Sequence, residues 1–164
     1  MKTQVFFKFK WMFLAGVAFL LPVLGGCQDV GLPEGEVRLS QIQDNPDYKS
    51  LPLIGTQWKL IGFVDARRNK IKLAEPAGED TYLLTFNENG EISGQTSTNK
   101  AFGKYLLDDD QLSILEFHNI TEINELFDGR YYIETMNNVF SYNLSTKGLA
   151  LHYDAQKYLL FEPQ

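Results

Sequence analysis

Residues 138–163 read NVFSYNLSTKGLALHYDAQKYLLFEP. Phe140, Tyr142 and Leu144 alternate with polar or small residues, Thr146-Lys147-Gly148 interrupts them, and Leu149, Leu151 and Tyr153 resume the alternation. A period of two places side chains on one face of a pleated strand, so the stretch reads as strand, turn, strand. Asp154-Ala155-Gln156-Lys157 marks another turn, and Tyr158 to Phe161 a closing strand.

Upstream, the pattern repeats. In TQWKLIGFVD (56–65) Trp58, Leu60 and Val64 share one face, with Lys59, Ile61 and Phe63 on the other. TYLLTFNENGEISGQT (81–96) sets Tyr82, Leu84 and Phe86 on one side before Asn89-Gly90, a hairpin signal because both residues tolerate positive φ. GKYLLDDDQLSILEF (103–117) is two strands around an acidic turn. In EINELFDGRYYIETMNNV (122–139), by contrast, Tyr132, Met136 and Val139 recur at helical spacing, with Asp128 as a cap and Asn137-Asn138 as a stop. The fold class that follows is α+β with β dominant: about eight antiparallel strands in a strongly curved sheet or partial barrel, one helix packed across it.

The other end of the chain differs. Lys2, Lys8 and Lys10 precede an apolar run, WMFLAGVAFLLPVL (11–24), and no acid occurs before Asp29. The run falls short of the ~20 residues that span a bilayer as a helix. Pro22 and Gly25-Gly26 break it just before Cys27, the sole cysteine. That is the layout of a secretory signal with a cleavage point. Leu24-Gly25-Gly26-Cys27 resembles the bacterial lipobox, which implies cleavage before Cys27, a diacylglycerol on its sulfur, and usually an acyl chain on the new amino end. A transmembrane anchor and a secreted protein with an incidental cysteine are the competing readings. Two or three acyl chains, at ~0.8 kcal/mol per buried methylene, hold a protein stably at a membrane.

Without residues 1–26 the chain has 138 residues and a net charge of −9. Such a charge disfavours nucleic acid and anionic headgroups, and Arg67-Arg68-Asn69-Lys70 reads as a loop between strands. No thiol is left for disulfides, so the core alone must hold the fold, which this length allows. Residues 28–52, QDVGLPEGEVRLSQIQDNPDYKSLP, are rich in polar and turn residues and read as a flexible tether reaching roughly 25–30 Å. A short helix in EVRLSQIQ, with Val37, Leu39 and Ile42 as a weak apolar side, is the alternative there. The expected divisions are thus 1–26 leader, 27–52 lipidated cysteine and tether, and 53–164 domain.

GTQWKLIGF, ISGQTSTNKAFGKY and the passage from Asp128 to Pro163 together resemble the META domain, also called HslJ-like, across nearly all of Leu53 to Pro163. The matching positions include Gly55, Trp58, Leu60, Gly94, Asn99, Gly103, Tyr105, Tyr132, Leu160 and Phe161. Many relatives carry one cysteine before the asparagine and another near the segment occupied here by Thr121 to Asn124. This chain has Thr98 and no downstream cysteine, so both members of that pair are missing together. The resemblance implies an envelope-associated protein, often secreted or lipidated, linked to stress or drug tolerance, with no established catalysis.

Read physically, the motif residues are structural. Gly94 and Gly103 suit backbone that tolerates no side chain, Asn99 can hold the irregular stretch Thr96 to Ala101, and Tyr105 can bury its ring while its hydroxyl bonds a carbonyl. The alternative for QTSTNKAF is a polar recognition loop on a rigid sheet. Residues for catalysis are sparse. His118 and His152 lack ligand spacing, Asp108-Asp109-Asp110 lacks the pattern of a calcium loop, and Ser93, Ser97 and Ser113 lack an elbow. Glu88 and Glu91 flank a turn. No catalytic residue, metal site or cofactor is expected.

The expected function is a non-catalytic envelope lipoprotein, a binding or maintenance module meeting an unknown protein or glycan as a monomer. Its membrane partner is reached through Cys27, and it binds no nucleic acid. Gln28 after the anchor, in place of the aspartate of inner-membrane retention, favours the outer membrane. Two alternatives remain: a carrier of a small apolar ligand between Tyr82, Phe86, Tyr142 and Tyr153, and a hydrolase built on His118 or His152.

Overall fold

The computed structural model describes residues 35–109, 111–121 and 123–164; the leader, Cys27, Asp110 and Glu122 lie outside the described residues. Among the described residues the strands are β1 (Glu36–Arg38), β2 (Gln57–Asp65), β3 (Lys70–Leu73), β4 (Leu83–Phe86) and β5 (Glu91–Gln95). They continue with β6 (Lys100–Asp108), β7 (Gln111–Asn119), β8 (Ser141–Ser145), β9 (Gly148–Asp154) and β10 (Lys157–Pro163). The helix α1 is Gly129–Met136, and short 3-10 turns occupy Leu39–Gln41 and Pro46–Ser50. Eight strands form one antiparallel path, β7-β6-β5-β4-β2-β10-β9-β8, and β3 leaves it to pair β2 and β1. The β-dominant α+β class therefore holds, with β1 and β3 as strands beyond the expected eight.

Tyr82, Leu84 and Phe86 are buried together, as their alternation requires. β2 departs from its expected faces. Leu160 pairs Gly62 while Phe161 pairs Leu60, leaving Ile61 as an extra residue. That bulge shifts the alternation by one, because each strand residue faces opposite to the last. Trp58, Leu60 and Phe63 consequently join the main core, and Val64 joins Ile71 and Leu160 on the other face, with Ile61 packed beside them. Gly62 permits the crossing, since a Cβ there would stand 2.1 Å from the Lys72 carbonyl oxygen.

The second apolar face explains another departure. Gly35 to Pro52, expected as tether, is docked on the sheet: β1 pairs antiparallel with β3, and Val37, Leu39 and Ile42 cover Val64, Ile71 and Leu160. Asn45 N donates to the Thr146 carbonyl at 2.6 Å, and Lys147 Nζ to that of Ile42 at 2.8 Å. Backbone pairing and three scattered apolar side chains do this, and neither has a periodic sequence signature. Residues 27–34 of the stretch read as lipidated cysteine and tether lie outside the described residues.

Asn89-Gly90 closes the β4–β5 hairpin, but only Gly90 takes positive φ (80°). Asn87 N donates to the Glu91 carbonyl at 2.9 Å, which makes a three-residue loop in place of a two-residue one. Phe140 is exposed, because β8 begins after it, at Ser141. Helix α1 buries Tyr132 and Met136 against the curved sheet, with Tyr132 edge-on to Tyr82 and Phe117 at 5.3 and 5.6 Å. Asp128 stands at its N-cap without capping it; the carboxylate instead accepts from Lys72 Nζ at 2.5 Å and Glu75 N at 2.9 Å.

Candidate functional site

The polar loop Thr96 to Asn99, between β5 and β6, is folded on itself by two bonds. Thr96 N donates to the Asn99 carbonyl at 2.7 Å, and Asn99 N to Thr96 Oγ1 at 3.0 Å. Thr96, Ser97 and Asn99 are all buried, so each polar atom must find a partner. They find it in the segment before α1. Asn99 Nδ2 donates to the Ile123 carbonyl at 2.7 Å and to Glu125 Oε1 at 2.5 Å, while its Oδ1 accepts from Ile123 N at 3.1 Å. The Thr96 and Ser97 hydroxyls also reach Glu125, at 2.7 and 2.5 Å.

Glu125 is the hub. Burial pushes its carboxyl up, but hydrogen bonds from Ser97, Thr96, Asn99 and Asn119 outweigh that and hold it below the ordinary range. A carboxylate so engaged is a poor general base, since its acceptor capacity serves the fold. Gly129 leaves it room: a Cβ there would lie 2.2 Å from both Glu125 Oε2 and Ser97 Oγ. Neither Glu125 nor Gly129 stood out in the sequence, where both lie in a helical pattern.

Here the missing cysteine pair acquires a counterpart. Thr98 Oγ1 donates to the Asn124 carbonyl at 3.2 Å, joining the segments whose cysteines the resemblance implies in relatives.

Beside this junction lies an open hollow of about 580 Å³ lined by Asn119, Thr121, Asn124, Glu125, Arg130 and Glu134, among others. Asn119 Oδ1 is buried there with no donor opposite it. The lining offers donors and acceptors but no nucleophile paired with a base, so the hollow is suited to holding a polar group.

The other motif residues are built into the sheet and its core. Trp58 is fully buried and its Nε1 donates to the Leu53 carbonyl at 3.2 Å. A Cβ on Gly94 would stand 2.4 Å from the Leu83 carbonyl oxygen, and one on Gly103 2.5 Å from that of Glu116. Tyr105 packs edge-on against Phe86, and its hydroxyl donates to the Asn87 carbonyl at 2.8 Å. The histidines are not brought together: exposed His118 lies on β7 against Phe102, and His152 on β9 against Tyr158. Burial holds the His152 imidazole below its usual range. Ser93 is exposed, Ser97 serves the junction, and Ser113 is exposed on β7. Asp108 and Asp109 lie exposed at the β6–β7 turn, and Glu91 accepts from Asn89 Nδ2 beside its own turn. Among the described residues no group of three His, Cys, Asp or Glu is placed to hold a metal ion. Of the rings expected around a ligand, Tyr82 and Phe86 are buried against Tyr132 and Tyr105, and Tyr142 and Tyr153 are half-buried at the core's margin.

A family model for the META domain matches residues 51–164. No curated protein matches the chain. Among solved structures, the NMR structure of a protein from Burkholderia xenovorans is 20% identical over 74% of this chain and 89% of its own, with a TM-score of 0.55. A DUF4847 family protein from Bacteroides vulgatus is 16% identical over 66% of this chain and 92% of its own, with a TM-score of 0.49. The first shares the fold.

Proposed function

This chain belongs to the META domain family, and from that premise we propose that it is a lipid-anchored, non-catalytic module of a bacterial cell envelope. In this reading it meets a protein or glycan partner, or sustains the envelope under stress. One observation carries the non-catalytic part. The polar motif loop spends its groups on the junction with Glu125, and among the described residues lining the hollow no nucleophile is paired with a base. The anchor rests on Leu24-Gly25-Gly26-Cys27 after a basic, apolar leader, and the outer membrane on Gln28. No helix among the described residues is long and apolar enough to cross a membrane.

The test combines intact mass, fractionation and complementation. The mature protein is expected to begin at an acylated Cys27, and Cys27→Ser to leave the membrane fraction. Protease shaving of intact cells then tells surface from periplasm. A folded Asn124→Ala/Arg130→Ala variant is expected to stay anchored yet fail to restore envelope-stress tolerance. Full complementation by that variant would move the binding surface away from the hollow, and an unmodified Cys27 would end the anchored reading.

A further inference from the structure

The segment between β7 and α1 exposes apolar side chains in quick succession. Ile120 is 61% exposed, Ile123 62%, Leu126 50% and Phe127 73%. Leu126 and Phe127 are held in place, because Gly129 N donates to the Leu126 carbonyl at 2.9 Å and Asp128 N to the Glu75 carbonyl at 3.1 Å. Phe127 carries positive φ (46°), which a bulky residue adopts only when its surroundings impose it. The acids flanking this pair are already engaged: Glu125 by Thr96, Ser97 and Asn99, and Asp128 by Lys72 and Glu75 N. On an acidic protein, the Leu126–Phe127 pair is apolar and the acid on either side of it is engaged.

Its position relative to the chain's N-terminal side gives it an occupant. Leu73 N donates to the Gly35 carbonyl at 2.8 Å, and two residues on, Glu75 binds Asp128. Gly35, the first described residue, therefore lies close to the Leu126–Phe127 loop. From Cys27 to Gly35 is eight residues, which can span at most about 28 Å. So short a leash keeps the Gly35 side of the domain within reach of whatever holds Cys27.

We propose that the Leu126–Phe127 loop, with Ile123, is a second membrane contact, inserting shallowly at the headgroup–acyl boundary of the phospholipid bilayer that holds the anchor. The inference rests on the lipid-anchored reading. Rigid apolar side chains need little ordering to insert, and a nearby anchor supplies a high local concentration of bilayer. The contact orients the domain so that the β4–β5 turn, at the other end of β5 from Thr96, points away from the membrane.

The test uses the full chain in phosphatidylethanolamine–phosphatidylglycerol vesicles. An environment-sensitive dye is placed at Arg130→Cys, which leaves Phe127 intact, or at Asn89→Cys as the distant control, with nitroxide-bearing lipids as quencher. Quenching at position 130 is expected to be at least twice that at 89, and to be abolished by Leu126→Ser/Phe127→Ser at unchanged thermal stability. Equal quenching at the two positions, or quenching indifferent to those serines, overturns the proposal; a loop that docks on protein gives this result. Intact mass of the same sample reports acylation of Cys27 independently. Should Cys27 be unmodified, the anchored reading fails, and the dye is placed in a Cys27→Ser background so that it sits at one position: serine-sensitive quenching upholds the loop contact, and its absence ends it.

Discussion

Replacing Asn99 with alanine removes the side chain that ties the motif loop to the segment before α1. Five bonds are lost: to the Ile123 carbonyl (2.7 Å) and N–H (3.1 Å), to Glu125 Oε1 (2.5 Å), and to the hydroxyls of Thr98 and Thr121. Two of these cost little, since a hydroxyl can turn to another partner. The two neutral bonds to Ile123 are worth about 1 kcal/mol each and the bond to the charged carboxylate about 2 kcal/mol. Ile123 is exposed, so water recovers part of its share, and about 3 kcal/mol of lost stability is the expected net. Trp58 is the only tryptophan after residue 11 and is fully buried, so its emission follows unfolding. With a urea slope of about 2 kcal/mol/M, the midpoint should fall by about 1.5 M. Asn99→Asp should be worse than alanine, because it sets a second carboxylate against Glu125. A midpoint shift below about 0.5 M, or an aspartate variant as stable as wild type, would refute the claim that this junction holds the domain together.

Four other outcomes follow from the same structure. Tyr132 has a buried hydroxyl with no partner, so Tyr132→Phe should raise stability by about 1 kcal/mol in the same urea titration. Gly94→Ala brings a methyl against the Leu83 carbonyl and should cost 2 kcal/mol or more, with exchange protection lost first in β4 and β5. A chain begun at Leu53 loses Val37, Leu39 and Ile42 from the second core and should drop by about 3 kcal/mol while gaining affinity for a hydrophobic dye. Because the Glu125 carboxyl is held below its unfolded value of 4.5, the unfolded chain binds the proton first on acidification. Its contribution is present above that value and fades as pH falls toward the folded one, so the gap between wild type and Glu125→Gln should narrow over that window; a gap constant with pH would contradict it.

The hairpins were legible because alternation and turn residues are local: Tyr82, Leu84 and Phe86, or Leu149 and Leu151, announce their face within a few positions. The bulge at Ile61 was not, since nothing near it shows that Leu160 and Phe161 will pair on either side of it. Docking of Val37, Leu39 and Ile42 was hidden for the same reason: their partners Val64, Ile71 and Leu160 lie 22 or more positions away, the shortest separation being Ile42 to Val64. In the candidate site Asn99 could be singled out as a loop-holding residue. Its hub, Glu125, could not, because a glutamate two turns ahead of Tyr132 on a helical pattern looks like any solvated acid.

The final strand is not at an edge of this sheet. β10 lies between β2 and β9 and hydrogen-bonds both, with Pro163 opposite Trp58 and Leu160 set in the second apolar core. A chain made from its amino end thus has β2 in place long before the neighbour that completes it. Until residues 157–163 arrive, one side of β2 stays unpaired, Trp58 is uncovered there, and the two halves of the sheet have no seam between them. Loss of even these last residues, by a premature stop or a carboxyl-terminal protease, would divide the sheet down its middle instead of trimming its rim. Strand β10 works as a keystone, and copies truncated before it should be cleared by proteases in place of accumulating.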